Sequence, residues 1–448
     1  MRRLMQLVTV LTLFIVIGCT KDEILNDPIV PTDPTEPRDE PAQVTGMSIT
    51  LDSLLNIGLP VVFITTENGE EPTYTKISHP VIDGDPYMGV SITNTNKVPG
   101  RIWIQLKDSI LYDSGDFVED QSGMRIRVRG NQMASRGQHP FKVKLQKKAD
   151  LLCRDEMYKD KNWLLMRSSS EHSPVFGFMA NKAVGLQYAP SFEYVNVVFN
   201  NDYRGLYILC ESVSRNKKCR LNVSDTGYIF EWDAYWWNED MFMDTSFSIN
   251  TGAKFTFKYP EVEDMTSAKY GYLQRYLNSF ESHLEDETYS DYIDVESLIR
   301  WTVGHDILGG RDGMGSNMYF TKYDDTPDSK IIMGCMWDFD TMMEGEDMWS
   351  ASHYNCYLER LFANNADFRN RYAEFWYAHG EAIVNDILKS LVEYESTYIG
   401  KVNQSRELHK QRWTDWGGQN PPLSEDVNKF RQWLVSRKEW MDKACSTL

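Results

Sequence analysis

The chain of 448 residues carries 47 Lys and Arg against 65 Asp and Glu, a formal net charge of −18. That balance argues against nucleic acid or anionic lipid as the main partner, because phosphate binding needs clustered positive charge. A 42% hydrophobic, 13% aromatic composition can fill a large core and excludes wholesale disorder, and the length suggests two or three domains or lobes.

Arg2 and Arg3 precede an apolar run, Leu7 to Ile17, which reads as a secretory signal. The run is too short for a spanning helix, which needs roughly 20 apolar residues. Its end, Val16-Ile17-Gly18-Cys19, resembles the lipobox of bacterial lipoproteins, with Cys19 as the lipidated first residue. Thr20-Lys21-Asp22-Glu23 resembles the Lys-acid-acid export tag of Bacteroidetes-type surface lipoproteins. These resemblances imply a signal peptide over 1–18 and an outer-membrane lipoprotein, surface-exposed or otherwise facing the periplasm. Membrane contact would then be through the lipid anchor only. Pro28, Pro31, Pro34, Pro37 and Pro41, set among acids and threonines, make 19–46 an extended, solvated tether.

From 47 onward the first signals are for strands. Residues 59–64 form a β-branched run ended by the turn Glu67-Asn68-Gly69, and 101–106, 124–129 and 141–145 alternate polar with apolar residues. The alternation puts Arg125, Arg127 and Arg129, and likewise Lys142 and Lys144, on one face. Residues 171–188 read as a helix, 192–211 as a hairpin about Asn200-Asn201-Asp202, and 227–232 as a further strand. Beyond 265 the period is helical, through 272–277 and 298–307. A strand pair follows at 318–322 and 330–337, and the tail from 357 is helix, interrupted near Gly417-Gly418 and Pro421-Pro422. Strands first and helices later give an α+β, two-lobed body, divided into a strand-rich part, 47–212, and a helical part, 213–448. Without Cys19, six cysteines remain and none has CxxC spacing. They allow fifteen disulfide pairings or none, and a zinc site is not expected.

Two short segments could carry chemistry. Asp312 and Asn317 lie between a helix and a strand, and Asp338-Phe339-Asp340 follows the next strand. Two carboxylates and a carboxamide held at neighbouring strand ends suit a hard divalent ion. Protein kinases use such a layout: an Asp as base, an Asn five residues on, and a later Asp-Phe-Gly acid on Mg²⁺. Phosphoryl transfer also needs positive charge, for which Lys144 on its strand and the Arg129-Gly130-Asn131 turn are candidates.

Arg129-Gly130-Asn131 followed by Phe141-Lys142-Val143-Lys144-Leu145 resembles the RGN…YRIKL signature of the CotH family. Its characterised members are atypical protein kinases of secreted proteins. The resemblance runs through ordered blocks from about 59 to 345, among them 162–165, 197–207, 227–233, 255–261, 319–322 and 337–340. It implies a two-lobed atypical protein-kinase-like fold and binding of ATP with Mg²⁺ or Mn²⁺. On that resemblance Lys144 and Arg129 would contact nucleotide phosphates, Asp312 would be the catalytic acid position, and Asp338 would hold the metal with Asn317 as helper. Glu211 would form the adenine-side wall or pair with a lysine, while Glu231 and Lys258 match family blocks without an assigned role. The chain departs from the pattern at 132–140, at Phe176-Gly177 where an arginine is expected, at Gly310 in place of Asn and at Cys335 in place of Pro.

The leading expectation is therefore an exported kinase acting on Ser or Thr of secreted or surface proteins, with no role for nucleic acid. The alternative is a pseudokinase or a surface adhesion protein, for which Trp236-Trp237 is the best exposed aromatic candidate. Metal-dependent hydrolysis would need a second metal cluster that the sequence does not offer.

Overall fold

Alternating or β-branched runs of side chains build a strand at each place in the first half where the sequence predicts one. The computed structural model describes residues 49–78, 90–92, 95–131, 134, 137–167, 172–247, 252–413 and 422–448. The expected signal peptide, Cys19, the whole of the tether and the Gly417-Gly418 interruption lie outside these residues. Helix α1 (Leu51–Asn56) starts at Thr50, whose hydroxyl accepts from Ser53 N, and leads into β1 (Val61–Thr66). A short ribbon of β2 (Lys76–Ser78) and β3 (Val90–Ile92) precedes β4 (Val98–Leu106), β5 (Ser109–Asp113), β6 (Met124–Val128), β7 (Phe141–Ala149) and β8 (Asp160–Met166). Helix α2 (Ser173–Val184) comes before the hairpin β9 (Phe192–Phe199) and β10 (Asp202–Glu211). Asn200 and Asn201 turn that hairpin with φ of 48° and 64°, the left-handed pair that asparagine tolerates.

Strand β1 pairs antiparallel with β4 and parallel with β9. The order β1-β9-β10-β8-β7-β6-β4 thus returns to β1 and closes a seven-stranded barrel, with β5 extending from β4. The kinase-like N-terminal lobe expected from the family resemblance is not what these strands form. Closure removes the open edges an ordinary sheet would leave, and the apolar face of every strand turns inward. Ile64, Ile102, Ile126, Val143, Trp163, Val197 and Leu209 fill the interior. The outer face of β8, β9 and β10 contributes Leu164, Tyr194, Leu206 and Ile208 to a second, larger core.

That core belongs to the second half. It contains β11 (Tyr228–Asp233), β12 (Phe242–Met243), β13 (Lys254–Tyr259), α3 (Ser267–Ser282), α4 (Val295–Leu308), the single turn α5 (Asp312–Gly315), β14 (Met318–Lys322) and β15 (Ile331–Met333). Helices α6 (Ser350–Tyr354), α7 (Cys356–Asn364), α8 (Ala366–Arg412) and α9 (Leu423–Ala444) complete it. The strands form an antiparallel sheet in the order β12-β13-β11-β14-β15. Strand β15 stops at Met333, short of the expected 337, so Trp337 and Asp338 continue as irregular chain. Helix α4 ends at Gly309, where φ is +59° and a Cβ would meet the Trp433 ring at 2.3 Å.

Helix α8, at 47 residues, is about 70 Å long. Near its start Tyr372 Oη donates to Asp306 Oδ2 of α4 at 2.9 Å. Near its end His409 Nδ1 accepts from Leu206 N of β10 at 3.1 Å, and Trp413 Nε1 donates to Arg204 O at 2.9 Å. Cysteines 153, 210, 219, 335, 356 and 445 are all free thiols. No helix among the described residues is long and apolar enough to cross a membrane.

Trp163 is fully buried in the barrel and donates its Nε1 to Asp160 O at 3.1 Å. Trp163→Ala is expected to cost about 3–5 kcal/mol of stability in urea unfolding. Ile110→Ala, at a side chain 63% exposed on β5, should change it by less than about 0.5 kcal/mol.

Candidate active site

Register, more than composition, decides which basic residues meet the acids. Arg127 and Lys142 are direct cross-strand partners of β6 and β7, and Arg125 and Lys144 are the next such pair along the same face. All four point away from the barrel interior, which Ile126, Val128 and Val143 occupy. Arg127 and Lys142, together with Arg129, line a cavity of about 790 Å³. Its other walls come from the start of α2, from β11 and β13, and from segments 311–317 and 337–341.

The barrel wall of this cavity is basic. None of Arg127, Arg129 and Lys142 forms an ion pair among the described residues. Burial, and then repulsion from Arg127, Lys258 and Arg129, pushes the Lys142 ammonium down to about 7. Burial, and then Arg129, likewise pushes the Arg127 guanidinium down to about 10. Cations held out of water without a counter-charge are costly, so this wall favours a polyanion.

The facing wall is acidic. Asp338 adopts φ of +62° and Asn317 φ of +59°, and Asn317 Nδ2 donates to Asp338 Oδ2 at 3.0 Å. Burial, and then the charges of Asp340 and Asp312, raises the Asp338 carboxyl to about 7, against the pull of Arg129 and Asn317. Asp340 also lies above the usual carboxylate range, chiefly through burial, and Ser173 Oγ at the start of α2 donates to its Oδ1 at 3.4 Å. Asp312 opens α5 with a half-exposed carboxylate 3.6 Å from Arg311 Nε. Between the two walls, Lys258 of β13 pairs with Glu231 of β11 at 2.9 Å. Beside that pair, burial and then Glu231 push Asp233 up to about 7.

Phe339 seats the acidic segment. A Cβ on Gly177 would come within 2.2 Å of the Phe339 ring, and Phe178 meets the same ring edge-on at 5.8 Å. This contact accounts for the missing arginine at 176–177. Phe176 stacks on Phe430 at 4.6 Å, and any side chain at 177 would displace Phe339. In the divergent 132–140 loop, Gln138 Nε2 donates to Leu206 O at 2.9 Å and Gly137 lies against the Trp413 ring. These two replacements fasten the loop to the barrel and to the end of α8. Gln132, Met133 and Ser135 lie outside the described residues.

The structure brings Arg129, Asp312, Asn317 and Asp338 to one cavity, and it does not bring Lys144 or Glu211 there. Lys144 is exposed, one cross-strand pair too far along β7. Glu211 is buried against an arginine: Arg154 Nη2 donates to it at 2.7 Å and Ser191 N at 3.0 Å. Sequence reasoning did not place Arg127, Lys142, Asp340 or the Glu231–Lys258 pair in the cavity. The repeating RGN…YRIKL alternation marks Lys142 and Lys144 as equivalents, and strand register is the signal that separates them. The exposed-aromatic expectation fails at Trp236, which is 5% exposed and donates its Nε1 to Gly252 O at 2.8 Å.

Among the described residues no group of three or more His, Cys, Asp or Glu side chains could by itself hold a metal ion. The donor set of Asp338, Asn317 and Asp340 is nevertheless all oxygen. It fits Mg²⁺ or Mn²⁺, which takes one or two carboxylates and completes its shell with water and substrate phosphates. A family model described as CotH kinase protein matches residues 126–441, which include every residue lining the cavity. No curated protein matches the chain.

Two outcomes follow from this geometry. A bound polyphosphate favours the charged form of Lys142, whose ammonium otherwise loses its proton near 7, so binding takes up a proton above that pH. ATP affinity measured by calorimetry should therefore fall as pH rises from about 7.5 to about 9.5, approaching tenfold per unit. Lys142→Met should flatten that slope. Gly177→Ala should dislodge Phe339 and lower the thermal midpoint by about 1–4 °C, equivalent to about 1–3 kcal/mol.

Proposed function

Because this chain belongs to the CotH kinase protein family, we propose that it is an atypical kinase that moves the γ-phosphoryl group of ATP to a Ser or Thr hydroxyl of a secreted or surface protein. The observation that carries this reading is a single cavity in which cations without ion pairs among the described residues, Arg127, Arg129 and Lys142, face Asp312, Asn317 and Asp338. Phosphoryl transfer asks a protein mainly for positioning and charge, and these two walls are suited to supply both.

Arg127, Arg129 and Lys142 hold the phosphates, and Lys258, kept in place by Glu231, extends the positive charge across the cavity. Asp338 and Asn317 hold Mg²⁺ or Mn²⁺, which when bound neutralises charge on the phosphate oxygens. Asp312 orients the acceptor hydroxyl and takes its proton as the new O–P bond forms and the bond to the ADP oxygen breaks. The barrel serves as the phosphate-binding half, and the second sheet with its helices serves as the catalytic half. The lipobox-like segment ending in Cys19 and the proline-rich tether present this machinery outside the cytoplasm, at the outer membrane, through a lipid anchor.

The test is thermal melting of the protein with ATP and Mg²⁺ or Mn²⁺. A ligand bound to the folded state alone, at about 100 times its dissociation constant, adds about 2.7 kcal/mol and must raise the midpoint. The metal-dependent part of that rise should vanish in Asp338→Ala. No rise with either metal would remove the nucleotide site and the reading with it.

A further inference from the structure

We propose that Thr341 is the positioning residue for Asp312: its hydroxyl sets where the catalytic carboxylate stands relative to Asp338. The role as a positioning residue for transfer rests on the kinase reading above; the clasp itself does not. Helix α5 is one turn long, and Arg311 at its N-cap makes no side-chain cap hydrogen bond. So short a helix cannot hold itself, and its first N–H groups need an acceptor from elsewhere. Thr341 Oγ1 is that acceptor, taking Arg311 N at 3.1 Å and Asp312 N at 2.9 Å. One side chain, three residues beyond Asp338, thereby caps the helix that Asp312 begins.

The rest of the contact between the two segments fixes the same relation. Met343 N donates to Leu308 O and Glu344 N to Gly309 O, both at 2.8 Å, so the chain just before Asp312 runs beside the chain just after Asp340. On the far side of Asp312, a Cβ at Gly313 would come within 2.5 Å of Trp337 O and 3.0 Å of Asp338 O, so only glycine allows that approach. Asp312 is thus clasped through its backbone, by the Thr341 hydroxyl at one end and by close packing at Gly313 at the other. Its carboxylate is half-exposed, with Arg311 at 3.6 Å as its near charge, so backbone placement is what aims it. Threonine and serine both provide the accepting oxygen. Valine, which has the same shape, does not.

The experiment compares the full protein with Thr341→Val and Thr341→Ser in two assays. The first is hydrogen exchange of the peptide spanning 309–315 without any ligand. The second is phosphoryl transfer from γ-labelled ATP to dephosphorylated casein, with kcat and KM for ATP measured separately. In Thr341→Val the amides of 311 and 312 should exchange about tenfold faster or more. kcat should fall by about 10-fold to 100-fold, while KM for ATP stays within about twofold, because the phosphate-binding residues are untouched. Thr341→Ser should restore both quantities to within about threefold, which separates lost positioning from general damage to the fold. Unchanged exchange in Thr341→Val overturns the clasp, and unchanged kcat overturns its role in positioning. A Thr341→Ser protein that folds but behaves like valine overturns the claim that the hydroxyl is the cause. A wild-type protein that binds ATP and transfers nothing overturns the kinase reading and, with it, the role in transfer, while the exchange assay, which needs no transfer, still decides the clasp.

Discussion

Arg127 and Lys142 face each other across two antiparallel strands with no ion pair to either among the described residues, and the organisation of the site answers to that imbalance. Like charges at directly opposite strand positions repel, and partial burial strengthens the repulsion. In a chain with a net charge of −18, counter-charges are plentiful, yet Glu239 on Arg127 and Glu261 on Lys142 only partly oppose the burial of this pair, and other acids of the cavity are engaged elsewhere. Glu231 is held by Lys258, and Asp340 by Ser173. Asp338, beside Asn317, is crowded by other acids. The two halves of the molecule thus keep opposite charges apart across an open space, an arrangement that a polyanion and a cation together would neutralise.

Keeping that separation requires stiff supports on both sides. On the basic side the support is a closed barrel, whose packed interior fixes the outward residues of β6 and β7 by simple parity. On the acidic side it is less regular, since Asp338 and Asn317 both take left-handed backbone and Phe339 fills the space left by Gly177. Strain of this kind persists where surrounding contacts over-determine it, and it gathers at sites that must hold one geometry. Arg437 of α9 adds to the support by donating to Asp306 O, Glu346 O and Met348 O, which ties the chain beyond the acids to α4.

Much of this was legible in the residues. The strands at 101–106, 124–129 and 141–145 follow from alternation and the hairpin at 192–211 from its aromatic and β-branched runs, while the helices read at 171–188 and 298–307 are present at 173–184 and 295–308. The Asp312…Asn317 and Asp338-Phe339-Asp340 segments do meet. Barrel closure was not legible, because β1 pairs with β4 and β9 through backbone groups that every residue possesses, and no local pattern announces partners 44 and 135 residues away from Val61. Lys144 was favoured over Lys142 for a related reason: alternation gives the face of a strand and says nothing about which part of that face another element covers. Glu211 looked like a site residue from its place at a strand end, and its arginine partner lies 57 residues upstream. Trp236 shows the opposite case, in which a polar neighbourhood in sequence hides a buried ring.

Helix α8 bears on a different matter, the tolerance of this architecture to insertion. It is fastened to α4 through Tyr372 and to the barrel through His409 and Trp413, with some ten turns between. Each added residue turns the far end by about 100° and lengthens the rod by about 1.5 Å. A single insertion between the fastenings would therefore swing His409 and Trp413 off β10, while a seven-residue insertion would nearly restore the angle but push the barrel about 10 Å out of reach. The spacing of the two halves is counted in helical turns, so length variation in relatives of this chain belongs in loops such as 132–140 and not within α8.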